Sequence, residues 1–341
     1  MKHLITGGSG FLGNLIMEEL LKLEEDITVL DLYKSDSLPK SVKFIECDIL
    51  DRKKVSYAMA GIDVVHHNVA LVPLTKSGEK FWDVNVNGSK IVAEEAVKNN
   101  IKNFIHMSSS AIYGNVNQFP ITDSTPVSPI EIYGRSKLAG EIAVKEILRD
   151  KIPLVIVRPR TILGEGRLGI FQILFDWINK GKNVYVIGSG NVKFQFIHAK
   201  DLINAYMLIY KKGISGSFNI GTNNFSTMRD ALETLIKSAD SKSKVRSLPV
   251  FPSIITLRLL DFLKLSPLSP WHYLTYHKEF HFDVKNLIDL GWNPKYSNDK
   301  MLIESYNWFL LNKSIITSTK NKSPHRTAVQ ENILKLIRYF S

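Results

Sequence analysis

The 341-residue sequence predicts an α/β fold, in which a doubly wound parallel sheet is followed by a smaller C-terminal lobe. Short apolar runs alternate with longer runs of helical periodicity up to about residue 165, and this alternation is typical of parallel βαβ units. A glycine-rich turn joins the first apolar run to the first helical run. Beyond residue 165 short segments interrupted by prolines replace the regular pattern, and these predict the lobe.

The elements of the sheet can be assigned in chain order. The first strand, KHLIT, ends at two glycines, and FLGNLIMEELLKL then places apolar residues at helical spacing. The runs DITVLDLY, SVKFIECDI and GIDVVHHNVA predict strands two to four. A long predicted helix, FWDVNVNGSKIVAEEAVKNN, precedes the fifth strand, KNFIHMSSS, and PLVIVRP is the sixth. Such strands, separated by helices, are expected to pair in parallel.

The chain divides into three predicted regions. Residues 1–165 form a dinucleotide-binding domain, to which segments near 184–222 return. Residues 166–310 form mainly the substrate lobe, and 311–341 form a basic linker with an amphipathic tail helix. The tail places Val329, Ile333, Leu336, Ile337 and Phe340 at helical spacing. Such a helix can lie on an anionic membrane, but we favour docking onto its own domain or a second subunit.

Composition limits the function classes. The formal net charge of +11 comes from lysines spread along the chain without a nucleic-acid motif, so we expect a solvated basic surface and no nucleic-acid partner. A single cysteine, Cys47, excludes an intramolecular disulfide. The chain begins directly with a strand, and no apolar run is long enough to span a bilayer. We therefore expect a cytoplasmic protein.

The glycine turn predicts a dinucleotide site of Rossmann type. In TGGSGFLG, residues 6–13, glycines allow a tight turn and a close approach of the backbone to a pyrophosphate at the helix N-terminus. Asp31 ends the second strand, at the spacing expected for an acid that binds the adenosine ribose. An acid there repels a 2′-phosphate, so NAD is favoured over NADP. Asp48 follows the third strand, either as an adenine contact or as a helix N-cap.

Two side chains four residues apart, Tyr133 and Lys137, share one face of a predicted helix. The spacing is equally that of an ordinary surface pair and that of a phenol held beside a cation for proton transfer. Two adjacent histidines, His66 and His67, point to opposite faces of a strand and make a poor metal pair, and we predict no metal site.

The motifs in their order resemble those of the extended short-chain dehydrogenase/reductase family, which includes nucleotide-sugar epimerases and dehydratases and hydroxysteroid dehydrogenases. The resemblance covers roughly residues 1–310. It is carried by TGGSGFLG, Asp31, Asp48, HHNVA at 66–70, DVNVNGS at 83–89, MSSSAIYG at 107–114, YGRSK at 133–137 and RPRTILGEGRLG at 158–169.

The resemblance implies roles for individual residues. Tyr133 is the acid/base at a substrate hydroxyl or carbonyl, and Lys137 with the nicotinamide ring lowers its pKa. Ser109 hydrogen-bonds the substrate oxygen, with Ser110 as the alternative if the segment carries a gap. Asn85 positions the cofactor or, equally, is an amide bonded to backbone. The implied cofactor contacts are Gly7, Gly10, Phe11, Leu12, Gly13, Asp31, Asp48, Ile49, Val69, Ala70, Asn85, Tyr133, Lys137 and Pro159.

The substrate contacts depart from the pattern of nucleotide-sugar members. An arginine that commonly grips the substrate diphosphate is replaced by Phe194, with Lys193 beside it. A lysine binds phosphate without the bidentate fork of arginine. The implied substrate contacts are therefore Ser110, Arg160 and Lys193, and Arg160, Arg167 and Arg246 are either phosphate contacts or surface residues.

Three functions remain open. The first is an NAD-dependent epimerase or reductase of an activated sugar, since Ser110 and Ala111 replace the acid pair of a 4,6-dehydratase. The second is a steroid- or lipid-type hydroxy dehydrogenase or ketoreductase, favoured by the apolar segment 248–274, which is either a buried lobe helix, a pocket wall or a membrane-facing surface. The third is a non-catalytic NAD-binding module. The resemblance also implies a homodimer through helices at 79–100 and 131–150.

Overall fold

A seven-stranded parallel sheet forms the centre of the protein. The structure, a computed structural model, describes residues 1–263, 265–266 and 268–318. The strand order is β3-β2-β1-β4-β5-β6-β10, and every neighbouring pair is parallel. The seven strands are β1 (Lys2–Thr6), β2 (Asp26–Asp31), β3 (Lys43–Glu46), β4 (Val64–His67), β5 (Asn103–Met107), β6 (Leu154–Pro159) and β10 (Gly216–Ile220).

Helices cover both faces of the sheet, as the alternation of strands and helices predicts. On one face α2 packs on α4 and α4 on α5, while α1 and α7 pack together on the other. A π-helical stretch, Asp83–Gly88, joins α3 to α4 without a break. The helices of this layer are α1 (Phe11–Leu21), α2 (Arg52–Met59), α3 (Lys80–Trp82), α4 (Ser89–Lys98), α5 (Ile132–Leu148) and α7 (Ala199–Lys211).

Two cores result from this arrangement. Alternate residues of β1 enter different cores, since Leu4 joins the cluster under α2, α4 and α5, whereas Ile5 joins the one under α1 and α7. A strand buried on both faces has no solvent-exposed side that would carry polar residues, which explains the continuous apolar runs in the sequence. The sheet order reverses between β1 and β4, and this switch point is where α/β sheets hold ligands.

The C-terminal lobe is built from short elements. Two small parallel pairs, β7 (Thr161–Leu163) with β9 (Phe196–His198) and β8 (Val184–Ile187) with β11 (Val245–Leu248), lie outside the main sheet. The remaining helices are α6 (Phe171–Asn179), α8 (Met228–Ser238), α9 (Val250–Phe262), α10 (Pro270–Thr275), α11 (Lys285–Asp289) and α12 (Asn298–Ser318).

Two predicted boundaries are corrected. The return to the first domain does not include Val184–Ile187, because that strand pairs with β11 in the lobe, and only α7 and β10 rejoin the main layer. The predicted linker does not begin at residue 311, because α12 continues to Ser318 and Lys313 of this helix pairs with Asp176 at 2.7 Å. The amphipathic tail predicted at 329–340 lies outside the described residues. Within the described ranges no helix has both the length and the apolarity needed to cross a bilayer.

Four histidines are buried in or beside the sheet. His3, His66, His67 and His106 are at most 1 % exposed. His66 bonds His3 (2.9 Å) and the hydroxyl of Tyr206 (2.7 Å), while His67 bridges the hydroxyls of Thr6 and Ser89. Burial lowers the pKa of all four, in His67 to about 3 and in His66 and His106 well below 6.5. These histidines are neutral in the folded protein.

The free energy of unfolding is therefore expected to decrease once the pH falls below about 6.5, the ordinary pKa of histidine. The lowered folded-state pKa means that the unfolded chain binds more protons below pH 6.5, so stability is complete above that value and falls as the pH decreases. His67, whose folded-state pKa is about 3, contributes a loss that approaches about 1.4 kcal/mol per pH unit between its unfolded and folded pKa values. Urea unfolding between about pH 7 and about pH 5 measures this loss, and His67→Asn should reduce the slope. A free energy of unfolding that stays constant across that range contradicts the prediction.

Candidate active site

The glycine turn at the carboxyl end of β1 is a cradle for an anion. Gly7 has a φ of +70°, and its N–H donates to Leu30. A Cβ placed on Gly13 would lie 2.2 Å from the Gly7 carbonyl oxygen, so only glycine lets α1 pack this close to the turn. Helix α1 begins after an extended Gly10 with no side-chain cap and no acid in its first turn. Its first N–H groups are thus free for a phosphate, as a dinucleotide requires.

Asp31 lies at the end of β2 beside this turn. Its carboxylate accepts hydrogen bonds from the N–H of Ser9 (3.0 Å) and of Leu32 (2.7 Å). Burial raises the pKa of Asp31, and these backbone bonds partly oppose the shift. The acid therefore orders the glycine turn while it remains at the edge where a ribose would bind.

The other predicted cofactor contacts surround the switch point. The loop after β4 crosses the glycine turn, with the nitrogen of Val69 3.1 Å from a Cβ built on Gly7, and Ala70 follows it. Ile49 packs against Gly88, where a Cβ would meet it at 2.7 Å. Asp48 accepts from the N–H of Leu50, and the N-cap of α2 is Asp51 instead. The helix-cap alternative for Asp48 is therefore wrong. Phe11 and Leu12 open α1, and Pro159 ends β6.

Asn85 is a buried bridge in the π-helical stretch. Its side-chain oxygen accepts from the N–H of Leu71 (2.8 Å), and its nitrogen donates to the Leu71 carbonyl and the Ser136 hydroxyl. These bonds tie the loop that crosses the glycine turn to α5. Asn85 is therefore the backbone-bonded amide of the two alternatives. Through Leu71 it holds the loop after β4 that crosses the glycine turn.

Three consecutive serines after β5 have three different partners. Ser108 donates to Glu141 (2.9 Å), and Ser110 accepts from Arg160 (3.1 Å). Ser109 Oγ accepts from the N–H of Ala111 (3.2 Å), and its hydroxyl lies close enough to the phenol of Tyr133 to lower the pKa of that phenol. The structure thus brings Ser109, rather than Ser110, to the tyrosine.

Tyr133 occupies the first turn of α5. Glu131 caps this helix, and its carboxylate accepts from the N–H groups of Tyr133 (2.8 Å) and Gly134 (2.6 Å). The Tyr133 ring meets Phe81 edge to face at 5.8 Å. Burial raises the pKa of the phenol to about 12, while Ser109 and Arg167 act to lower it. The phenol is therefore protonated at neutral pH in the protein alone.

Lys137 is buried one turn after Tyr133, so the two residues are not a surface pair. Its ammonium group donates to the Met107 carbonyl oxygen (2.6 Å) at the end of β5, and burial lowers its pKa to about 8. The expectation that Lys137 and the nicotinamide ring together lower the pKa of Tyr133 stays a prediction. The lysine faces the carboxyl edge of the sheet, where ribose hydroxyls would lie.

Arg167 is a cation beside Tyr133 that the sequence left undecided between phosphate contact and surface residue. The guanidinium lies over the Phe11 ring at 5.3 Å, at the start of α1. Burial lowers the pKa of Arg167 to about 10, and the Tyr133 phenol acts to raise it. Glycines with positive φ at 164, 166 and 169 fold its loop into the cleft. The run GEGRLG was the signal that could have identified it.

The predicted substrate contacts differ in exposure. Arg160 is 2 % exposed and Ser110 is buried, whereas Lys193 and Arg246 are exposed. A second arginine, Arg158 of β6, is paired with Glu141, which also accepts from Ser108. The structure thus joins Arg160 and Ser110 directly, while the role of Lys193 stays a prediction.

The apolar segment 248–274 is divided between two environments. Helix α9 has no buried residue, and Phe251, Ile255, Leu259 and Phe262 are 50–82 % exposed. The alternative of a buried lobe helix is therefore wrong for α9, and its exposed face is not a pocket wall. In α10, by contrast, Trp271 and Tyr273 are buried.

The fold and the site define a class of enzyme. A glycine turn at the switch point, an acid at the end of β2 and a serine–tyrosine contact near a buried lysine are together the arrangement of an extended short-chain dehydrogenase/reductase. Residues 3–221 match the NAD dependent epimerase/dehydratase family. The chain belongs to this family.

Individual relatives agree with this membership. The chain is 42 % identical to "Uncharacterized protein y4nG" of Sinorhizobium fredii over 98 % of this chain and 85 % of that protein. It is 26 % identical to a "Putative UDP-glucose 4-epimerase" of Methanocaldococcus jannaschii, over 89 % of this chain and 97 % of that one. The crystal structure of UDP-glucuronic acid 4-epimerase from Bacillus cereus in complex with NAD superposes with a TM-score of 0.75 at 22 % identity, over 91 % and 99 % of the two chains, and shows the same fold.

Proposed function

We propose that the protein is an NAD-dependent oxidoreductase that acts on a hydroxyl or keto group of a nucleotide-sugar, as an epimerase or reductase. The observation that carries the proposal is the placement of Ser109, Tyr133 and Lys137 around the carboxyl end of β5, at the sheet edge that holds the glycine turn. The relatives named as UDP-sugar epimerases support the substrate class. The intact set of Ser109, Tyr133 and Lys137 argues against a non-catalytic module.

The residues of the site fit a dinucleotide. The free N–H groups of α1 would hold the pyrophosphate, Asp31 the adenosine ribose and Lys137 the nicotinamide ribose. A bound nicotinamide supplies the hydride acceptor. The cleft beside Ser109 and Tyr133 then receives the substrate carbon.

The chemistry of the chain is proton transfer at Tyr133. Ser109 donates a hydrogen bond that fixes the substrate oxygen, and Tyr133 takes the hydroxyl proton as the carbon loses its hydride. The positive charge of Arg167 stabilises the phenolate that this step requires. In the reverse direction Tyr133 returns the proton to the new alkoxide. The same pair of steps, with the sugar turned over between them, gives epimerisation.

Dehydration is less well supported than epimerisation or reduction. A 4,6-dehydratase needs further acid/base groups next to the serine, and here Ser110 and Ala111 hold those positions. Neither of these side chains has a carboxyl group, and the Ser110 hydroxyl is buried and bonded to Arg160. The lipid-type alternative is less well supported too, because the exposed side chains of α9 do not line a pocket.

Substitution of Asp31 is expected to weaken the preference for NAD over NADP. In Asp31→Ser the carboxylate that repels a 2′-phosphate is lost, and the preference for NAD over NADP should fall by at least about tenfold, equivalent to about 1.4 kcal/mol. Dissociation constants for NADH and NADPH, measured by fluorescence titration, provide the test. Asp26→Ser serves as the control, since Asp26 is an exposed aspartate at the opposite end of β2. An unchanged ratio would show that another group sets the preference.

A deuterium label tests the reaction itself. A nucleotide-sugar that carries deuterium on the oxidised carbon should give an epimer that retains the label, because the hydride leaves and returns within one site. Analysis by mass spectrometry and NMR distinguishes the outcomes. Exchange of the label with solvent would contradict hydride transfer and favour removal of a proton from that carbon. A homodimer in the cytoplasm remains a prediction.

A further inference from the structure

Arg160 is a buried cation without an acidic partner among the described residues. Its Nε donates to the Gln195 carbonyl oxygen (3.0 Å) and its Nη1 to the Ser110 hydroxyl (3.1 Å). Its Nη2 is buried and has no hydrogen-bond partner among the described residues. Buried donors in native proteins are almost always satisfied, so the free nitrogen indicates a group that is missing from the protein alone.

Two residues earlier in the chain, Arg158 is an arginine whose side-chain nitrogens all have hydrogen-bond partners. Its Nε donates to Glu141 (3.1 Å), its Nη2 pairs with the same carboxylate, and its Nη1 donates to the Tyr113 hydroxyl (2.9 Å). All three nitrogens are used and the charge is balanced. Arg158 thus has a carboxylate partner, which Arg160 lacks within the described residues.

Aromatic rings hold the Arg160 guanidinium in place. Its central carbon lies 4.0 Å from the centroid of Phe280, 4.9 Å from Phe194 and 5.9 Å from Phe282. Ring faces attract a cation but do not neutralise it. Burial lowers the pKa of Arg160 to about 9, so the group is still charged at neutral pH. An anion is the partner that would compensate this buried charge.

The guanidinium is bonded to the serine turn of the proposed catalytic site. Arg160 bonds Ser110, the neighbour of the serine that contacts Tyr133, and it stacks on lobe residues across from the sheet edge. Phe194, which occupies the position where an arginine was expected, is one of the stacking rings. A guanidinium group is thus present from the residue that follows β6, Arg160, and the Phe194 ring packs against it.

We propose that Arg160 binds an oxyanion of the substrate through its free Nη2, with Phe194 and Phe280 as the platform that orients the fork. This inference rests on the proposed nucleotide-sugar function. The oxyanion is either a phosphoryl group of the nucleotide or a carboxylate on the sugar, since both accept a charge-assisted bond from arginine.

The test compares charged and neutral ligands on Arg160→Gln and on a control, Arg149→Gln, which removes an exposed arginine at the C-terminal end of α5. The probes are uridine, UDP, UDP-glucose and UDP-glucuronic acid, titrated by calorimetry in the presence of NAD. Arg160→Lys keeps the charge without the fork. Thermal unfolding and NADH binding establish that each variant is folded.

A phosphoryl contact predicts that Arg160→Gln weakens all three UDP ligands by at least about tenfold and leaves uridine unchanged. A carboxylate contact predicts a loss confined to UDP-glucuronic acid. Equal weakening of uridine and UDP, or no change in a folded variant, overturns the inference. Wild-type turnover with unchanged Arg160→Gln affinity would contradict this inference alone, whereas absence of nucleotide binding in the wild type would contradict the proposed function as well.

Discussion

Replacement of Tyr133 by phenylalanine is expected to lower turnover by about 10²–10⁴-fold, the usual contribution of a positioned acid/base. The phenyl ring keeps its packing against Phe81, so only the hydroxyl is lost. NADH affinity and thermal stability should be close to those of the wild type. Initial rates with a nucleotide-sugar substrate, compared with a fluorescence titration of NADH, measure the two effects separately.

Ser109→Ala is the companion variant for Tyr133→Phe. Ser109 contacts the phenol and not the glycine turn, so its loss should reduce turnover with little effect on NADH binding. Ser108→Ala removes a hydroxyl that bonds Glu141 instead and serves as the control. Normal turnover in Tyr133→Phe would refute the assignment of the acid/base, and a larger effect in Ser108→Ala would refute the choice among the serines.

Gly13→Ala is expected to impair cofactor binding more than any other single-methyl change in the glycine turn. The added Cβ would lie 2.2 Å from the Gly7 carbonyl oxygen and 2.6 Å from the Gly8 Cα, and both are backbone atoms that a rotamer change cannot relieve. Overpacking of this kind costs about 1–3 kcal/mol. This corresponds to roughly a 5- to 150-fold loss of affinity if the displaced glycine turn has to regain its original conformation before the cofactor binds.

Gly10→Ala provides the matched comparison. Gly10 has an extended backbone that any residue adopts, and its added Cβ would lie 3.1 Å from the same carbonyl oxygen. The structure therefore predicts a smaller loss than in Gly13→Ala. NADH titration and thermal unfolding of both variants give the order of the effects. Wild-type affinity in Gly13→Ala would mean that the turn does not hold the cofactor.

The sequence predicted the sheet and its ligand edge because both depend on local patterns. Continuous apolar runs between helices specify parallel strands, and the glycine turn with Asp31 specifies the switch point. The choice between Ser109 and Ser110 was not predictable in the same way. It depends on how the short turn after β5 directs each hydroxyl. Ser109 is directed towards Tyr133, whereas Ser110 bonds Arg160.

Long-range partners account for the other differences. Lys137 shares a helix face with Tyr133, but its ammonium group bonds Met107 on β5, which no spacing along α5 reveals. Arg158 and Arg160 look alike in the sequence, yet among the described residues only Arg158 meets a carboxylate, that of Glu141 on α5. Helix α9 is apolar in sequence and exposed in the structure, since burial depends on what packs against a helix as well as on its composition.

The most direct test of the proposed function is a substrate panel for the purified protein with added NAD. The panel contains UDP-, GDP- and dTDP-sugars and, separately, sterols and long-chain hydroxy and keto compounds. Product formation is followed by NMR, and reduced nicotinamide by its near-ultraviolet absorbance. We expect turnover of at least one nucleotide-sugar that is abolished in Tyr133→Phe. Turnover confined to the sterol and long-chain compounds would contradict the nucleotide-sugar assignment.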